Sequence, residues 1–139
     1  MRADEYLKQY RECLCRIRLL ESRKQTTKDM LTHITAQLSG DRVQSSHPHD
    51  KFSMLVAELS DYDAKIEEEE ETLFMIQRMV EAIIDHVPDP MQQEVLQKNY
   101  IELKTMEQIA EEMYYSRTWV YRLKRRALMK VEEIIGDMR

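Results

Sequence analysis

At 139 residues the chain has room for one ordinary domain, or for a small globular unit with an extension. Two Gly and three Pro against ten Met and 34% charged residues favour helices over sheets, whose turns need more Gly and Pro. A formal net charge of −5 argues against non-specific coating of nucleic acid. With no apolar run of membrane length and no signal-peptide core after Met1-Arg2-Ala3-Asp4-Glu5, the expectation is a cytoplasmic protein.

In chain order, residues 3–38 read as one long helix. Leu7, Tyr10, Leu14 and Ile17 step by three and four, and the pattern resumes at Leu31, Ile34 and Leu38. Between them, Glu21 to Asp29 keeps helical composition but loses the apolar seam. Cys13 and Cys15 point about 200° apart on such a helix, so they read as reduced thiols in or beside a core. Residues 39–50 read as a loop by their Ser, Gly, Asp and Pro content. Within it, His47-Pro48-His49-Asp50 is a weak metal candidate without a Cys partner, and no metal site is assigned. His33 reads as a surface helix residue.

Residues 51–87 form the second long helix, with Leu55, Leu59, Tyr62, Ile66, Leu73, Ile76, Val80, Ile83 and Val87 in alternating steps of four and three. This is a coiled-coil seam, interrupted where Glu69 replaces an apolar residue. Two helices of matched length should fold back as an antiparallel hairpin about 50 Å long. Folding at the centre of the loop brings Arg23, Lys24 and Lys28 opposite Asp63 and the run Glu67 to Glu71. Ion pairing across a polar layer accounts for these residues, with an acidic docking patch as the alternative.

Val87-Pro88-Asp89-Pro90 ends the arm, because the residue before each Pro disfavours helix, Asp89 can cap and Pro90 suits a first helical turn. The expected domains are therefore an arm, 1–87, and a tri-helical unit, 88–139. Its first helix, 90 to about 103, should bury Val95, Leu96, Tyr100 and Ile101 or Leu103. Thr105-Met106-Glu107-Gln108 is a capping box opening the next helix, whose inner face is Ile109, Ala110 and Met113. Tyr114-Tyr115-Ser116 is the turn, Ser116 the cap of a third helix running to about Ile135, and Gly136 its stop.

The third helix carries the chemistry. From Ser116 to Lys130 the charged residues are Arg117, Arg122, Lys124, Arg125, Arg126 and Lys130, with no acid among them. Val120, Leu123, Ala127, Leu128 and Val131 form one face. Thr118, Tyr121, Arg122 and Arg125 form the other, flanked by Arg117, Trp119 and Arg126. A helix buried on one side and guanidinium-rich on the other fits a B-DNA major groove about 12 Å wide. Arg117, Thr118, Trp119 and Arg122 are assigned to base edges, with Arg117 and Arg122 suited to guanine. Tyr121, Lys124, Arg125 and Arg126 are assigned to phosphates, and Thr105 and Gln108 to a further phosphate contact at a helix N-terminus.

Thr105-Met-Glu-Gln-Ile-Ala-Glu-Glu-Met113, the turn, Ser116-x-x-x-Val120-Tyr-Arg-Leu123 and Arg126-Ala-Leu128 resemble region 4 of bacterial sigma factors. More closely they resemble the small sigma-like late-transcription regulators of phages and prophages (the RinA/ArpU type), whose "Leu-Pro-Asp-Pro"-like entry is here Val87-Pro88-Asp89-Pro90. The strong match covers about residues 87–135, with a weaker pattern over 51–86. It implies promoter-proximal DNA binding that controls late genes in a bacterial host cell, with RNA polymerase as a further partner. The chain departs from these relatives at Leu103 and Tyr114, where they usually carry Gly. Both positions suit a left-handed backbone, where a non-Gly residue costs about 1–2 kcal/mol.

No Gly-rich phosphate loop, nucleophile–base pair or isolated carboxylate pair is visible, so neither enzyme activity nor a cofactor is expected. The fold expected is all-α, and the function is sequence-specific binding of double-stranded DNA in transcription regulation. A second copy joining through the arm is a further candidate partner. The alternatives from other classes are a small terminase subunit, which would form a ring, and a coiled-coil adaptor that binds no DNA.

Overall fold

The computed structural model describes residues 2–40 and 47–138, without the side chains of 38–40 and 47–48. It is all-α. In chain order the helices are α1 (Arg2–Leu7), α2 (Gln9–Gly40), α3 (His47–Asp85), α4 (Pro90–Leu96), α5 (Met106–Met113) and α6 (Arg117–Asp137), with a π turn over Gln97–Ile101. No helix of the described residues is long and apolar enough to cross a membrane.

Helices α1 and α2 are nearly the single helix expected from residue 3 onward. Lys8 bonds back to Asp4 O at 2.9 Å and Glu12 to Lys8 O at 3.0 Å, so hydrogen bonding runs across the break. The expected loop is shorter than 39–50, because α2 continues to Gly40 and α3 already begins at His47. Of the expected metal candidate, the His47 side chain lies outside the described residues, and His49 and Asp50 are exposed. No group of three or more metal-type side chains gathers among the described residues.

The chain divides into two compact units, Cys15–Thr72 and Met1–Leu14 with Leu73–Arg139. The first is an antiparallel pairing of α2 with α3. Among the described residues, Ile17, Thr27, Ile34 and Leu55 are its buried positions. Thr27, with Lys24 half-buried beside it, carries the seam through the interval that looked purely polar. Lys24 pairs with Asp63 as expected. Among the described residues no ion pair joins the acidic run to Arg23 or Lys28; Glu69 meets Arg16 at 3.3 Å instead.

The second unit is wider than the expected 88–139. It takes in α1 and the last turns of α3, and its larger core joins Ala3 and Leu7 to Val80, Ile83, Ile84, Val87, Leu96, Tyr100, Ala127, Leu128, Val131 and Ile135. Its smaller core, Val95, Met106, Ile109, Ala110, Val120 and Leu123, is made by α4, α5 and the start of α6. Asp89 caps α4 by accepting from Met91 N–H at 2.9 Å, with Pro90 in the first turn. α6 is therefore gripped twice along one stripe, once by α4 and α5 and once by α1, the end of α3 and α4. It runs on through Gly136, which has no positive φ and stops nothing; the cap is Met138.

Candidate nucleic-acid interface

Two caps fix the approach to α6. Thr105 Oγ1 accepts from Gln108 N–H at 3.2 Å and Gln108 Oε1 accepts from Thr105 N–H at 2.9 Å, so the expected capping box is complete. Ser116 Oγ accepts from Trp119 N–H at 3.2 Å and starts α6. Between them Tyr114 takes a left-handed backbone, φ 59° and ψ 38°, which reverses the chain in three residues. Tyr115 N–H bonds to Ala110 O at 3.0 Å, satisfying one of the open carbonyls of α5. The result is a helix–turn–helix.

Upstream, the π turn and the left-handed Leu103 (φ 57°) end the α4 segment earlier than expected. Asn99 Nδ2 donates to Lys104 O at 3.0 Å and Lys104 N–H to Lys98 O at 2.9 Å, so the irregular backbone is paired. Glu112 receives Lys104 at 2.7 Å and Lys98 at 3.5 Å, tying this corner to α5. Hydrogen bonding from Lys104 holds the Glu112 carboxyl below its ordinary value.

On α6 the two faces separate as the spacing requires. Val120 is 0% exposed and Leu123 2%, each contributing about 1.5–3 kcal/mol of burial that pins the helix. Thr118, Tyr121, Arg122 and Arg125 are exposed together on the outward face. Arg122 and Arg125 have no ion pair among the described residues, and their charge is left for solvent or a ligand. Arg117 reaches Glu107 at 3.5 Å, with both side chains more than half exposed, a contact of the loose surface kind.

Five assigned residues, Lys124, Trp119, Arg126, Thr105 and Gln108, are placed differently from the others. Lys124 is on the inner side of α6, its ammonium 5.3 Å from the centre of the Tyr100 ring. Burial pushes its pKa down, and it is not part of the exposed basic face. Trp119 is half-buried against the smaller core, and Arg126 lies over its ring at 5.7 Å. The indole thus acts as a platform for a guanidinium. Thr105 and Gln108 are exposed, but both side chains are committed to the capping box, which leaves only backbone N–H groups of the first α5 turn for an anion.

Reading by spacing missed the partners of the Lys124 corner. Tyr100 donates its hydroxyl to Asp4, and Ala3 N–H donates to Glu132 at 2.9 Å, so the start of the chain fastens both the π turn and α6. Burial, then the hydrogen bond and charge of Asp4, push the Tyr100 phenol far above its ordinary range. The signal available was the apolar step Ala3–Leu7, which extends the α2 seam to the first residues.

Fold and site together define a helical protein with a basic helix–turn–helix unit. A family model described as a protein of unknown function, DUF1492, matches residues 32–132, and the chain belongs to that family. No curated protein and no solved structure matches the chain.

Proposed function

We propose that the protein is a sequence-specific, double-stranded DNA-binding transcription regulator of the phage and prophage late-gene type, which lays α6 in the major groove. One observation carries this reading. The face of α6 opposite buried Val120 and Leu123 presents Arg122 and Arg125 without acidic partners, at the start of a helix held by a cap and a tight turn. Guanidinium groups so placed can form bidentate contacts with guanine edges and with phosphates, releasing condensed counterions. Arg117, Thr118 and Arg122 serve the bases; Tyr121, Arg125 and Arg126 serve the backbone. RNA polymerase remains a candidate partner through the sigma-like resemblance.

The test is selection of bound sites from random duplex DNA, followed by titration of the selected site at 50 and 200 mM salt. A recovered motif with affinity falling steeply at the higher salt is expected. Equal affinity at both salts, or no enrichment of any sequence, removes the proposal.

A further inference from the structure

Among the described residues, two other than Gly hold left-handed backbone, Leu103 at φ 57° and Tyr114 at φ 59°. Each position carries the steric penalty of a Cβ in that region. Leu103 is half-buried, so part of its side chain is removed from water. Tyr114 has no such compensation. Its side chain is 94% exposed, the most exposed large apolar residue described, and it makes no hydrogen bond, ion pair or ring contact. Adjacent Tyr115 shows the contrast: it packs on the smaller core and its hydroxyl reaches Met91 Sδ at 3.4 Å.

A strained position bearing a large unpartnered aromatic points to a role outside the folded chain. Tyr114 stands in the turn two residues before the Ser116 cap, and exposed Arg117 and Thr118 follow at once. A helix entering a major groove by its N-terminal end brings the turn before it beside the sugar–phosphate strand that borders the groove. We infer that Tyr114 is a DNA-backbone contact, its hydroxyl donating a hydrogen bond to a phosphate oxygen flanking the site read by α6. The inference rests on the proposed DNA-binding function and adds to it a neutral, sequence-independent anchor. A phenol is suited to this place because it reaches about 6.5 Å from Cα with two rotatable bonds, so little side-chain freedom is lost on contact.

The test uses the full chain and its selected duplex, with wild type, Tyr114→Gly and Tyr114→Phe compared by melting and by DNA titration at two salts. Tyr114→Gly should melt several degrees higher, because the strain is gone. It should nevertheless bind about tenfold more weakly, by a similar factor on selected and on random DNA. Tyr114→Phe should keep the wild-type melting point and show the same loss. In both variants the slope of affinity against salt should be unchanged, since a neutral hydroxyl displaces no counterion. Wild-type affinity in Tyr114→Gly overturns the inference and leaves the DNA-binding reading standing. Wild-type affinity in Tyr114→Phe overturns the phosphate hydrogen bond. Loss of self-association in Tyr114→Gly with unchanged DNA affinity overturns it in favour of a protein contact. Failure of the wild type to bind any duplex sinks both proposals.

Discussion

Lys124 lies four residues after Val120 and four before Leu128, both buried, so helical spacing alone puts it on the inner stripe of α6. Counting it with the basic face weighed its charge above its position. In the structure its stem packs inward and its ammonium rests on Tyr100, as long amphipathic side chains do when their head can find a polar or π partner. Lys124→Met should therefore leave the salt slope of DNA binding untouched, whereas Arg125→Ala should lower its magnitude by about 1 and weaken binding to all duplexes alike. A lowered slope for Lys124→Met would return that residue to the interface. Arg122→Ala separates base from backbone. Its cost should be about 1–3 kcal/mol on the selected site and small on random DNA, and equal losses on both would remove the base-reading role.

Among elements, the hairpin seam was legible and the clamp by α1 was not. Steps of four and three survive any register, so Leu55 to Val87 could be placed on one face without knowing what they face. The pairing of Lys24 with Asp63 follows from the helix lengths, but the choice of Arg16 for Glu69 turns on side-chain reach that spacing does not give. Glu69 and Arg16 are both partly exposed, a pair worth little against an apolar residue filling the same seam position. Glu69→Leu should raise the stability of the hairpin by about 1 kcal/mol and leave DNA affinity unchanged, read from thermal melting and titration; a lower melting point would show specific pairing there. The step from Ala3 to Leu7 shows that α1 has an apolar face, but periodicity does not say which distant helix that face meets. Leu7 is fully buried in the larger core, so Leu7→Ala should cost about 2–5 kcal/mol although it lies far in sequence from α6. Asp4 adds a pH dependence. Burial raises its pKa, but hydrogen bonds from Lys8 and Tyr100 outweigh that and hold it below the ordinary 3.8. With the folded value depressed, its stabilisation is complete above about pH 4 and lost as pH falls through the folded value. The difference in urea midpoint between wild type and Asp4→Asn should be largest at neutral pH and shrink near pH 3.

At the scale of the whole molecule, a net charge of −5 coexists with a helix whose first fourteen residues hold six cations and no acid. The structure reduces the number of those cations that could meet a duplex. Lys124 is turned inward and Lys130 is half-buried beside Glu133 at 3.1 Å, so the exposed cations are Arg117, with its loose contact to Glu107, Arg122, Arg125 and Arg126. Each phosphate neutralised contributes about −0.9 to the slope of log affinity against log salt, so one copy should give a slope between roughly −2 and −4. The acidic remainder of the chain opposes looser approaches to DNA, and non-specific affinity should be correspondingly poor. Two copies acting on a symmetric site would double the slope, to roughly −4 to −8, and the selected sequence would then be palindromic. The two readouts are independent, and both bear on the same assembly. A steep slope with an asymmetric site would mean that cations outside α6 touch the duplex. A ring of eight or more chains in solution would instead favour a DNA-packaging subunit over a regulator. A slope near roughly −2 with an asymmetric site is the outcome expected of a single α6 in a single groove, with Arg125 and Arg126 on phosphates and Arg117 and Arg122 on bases.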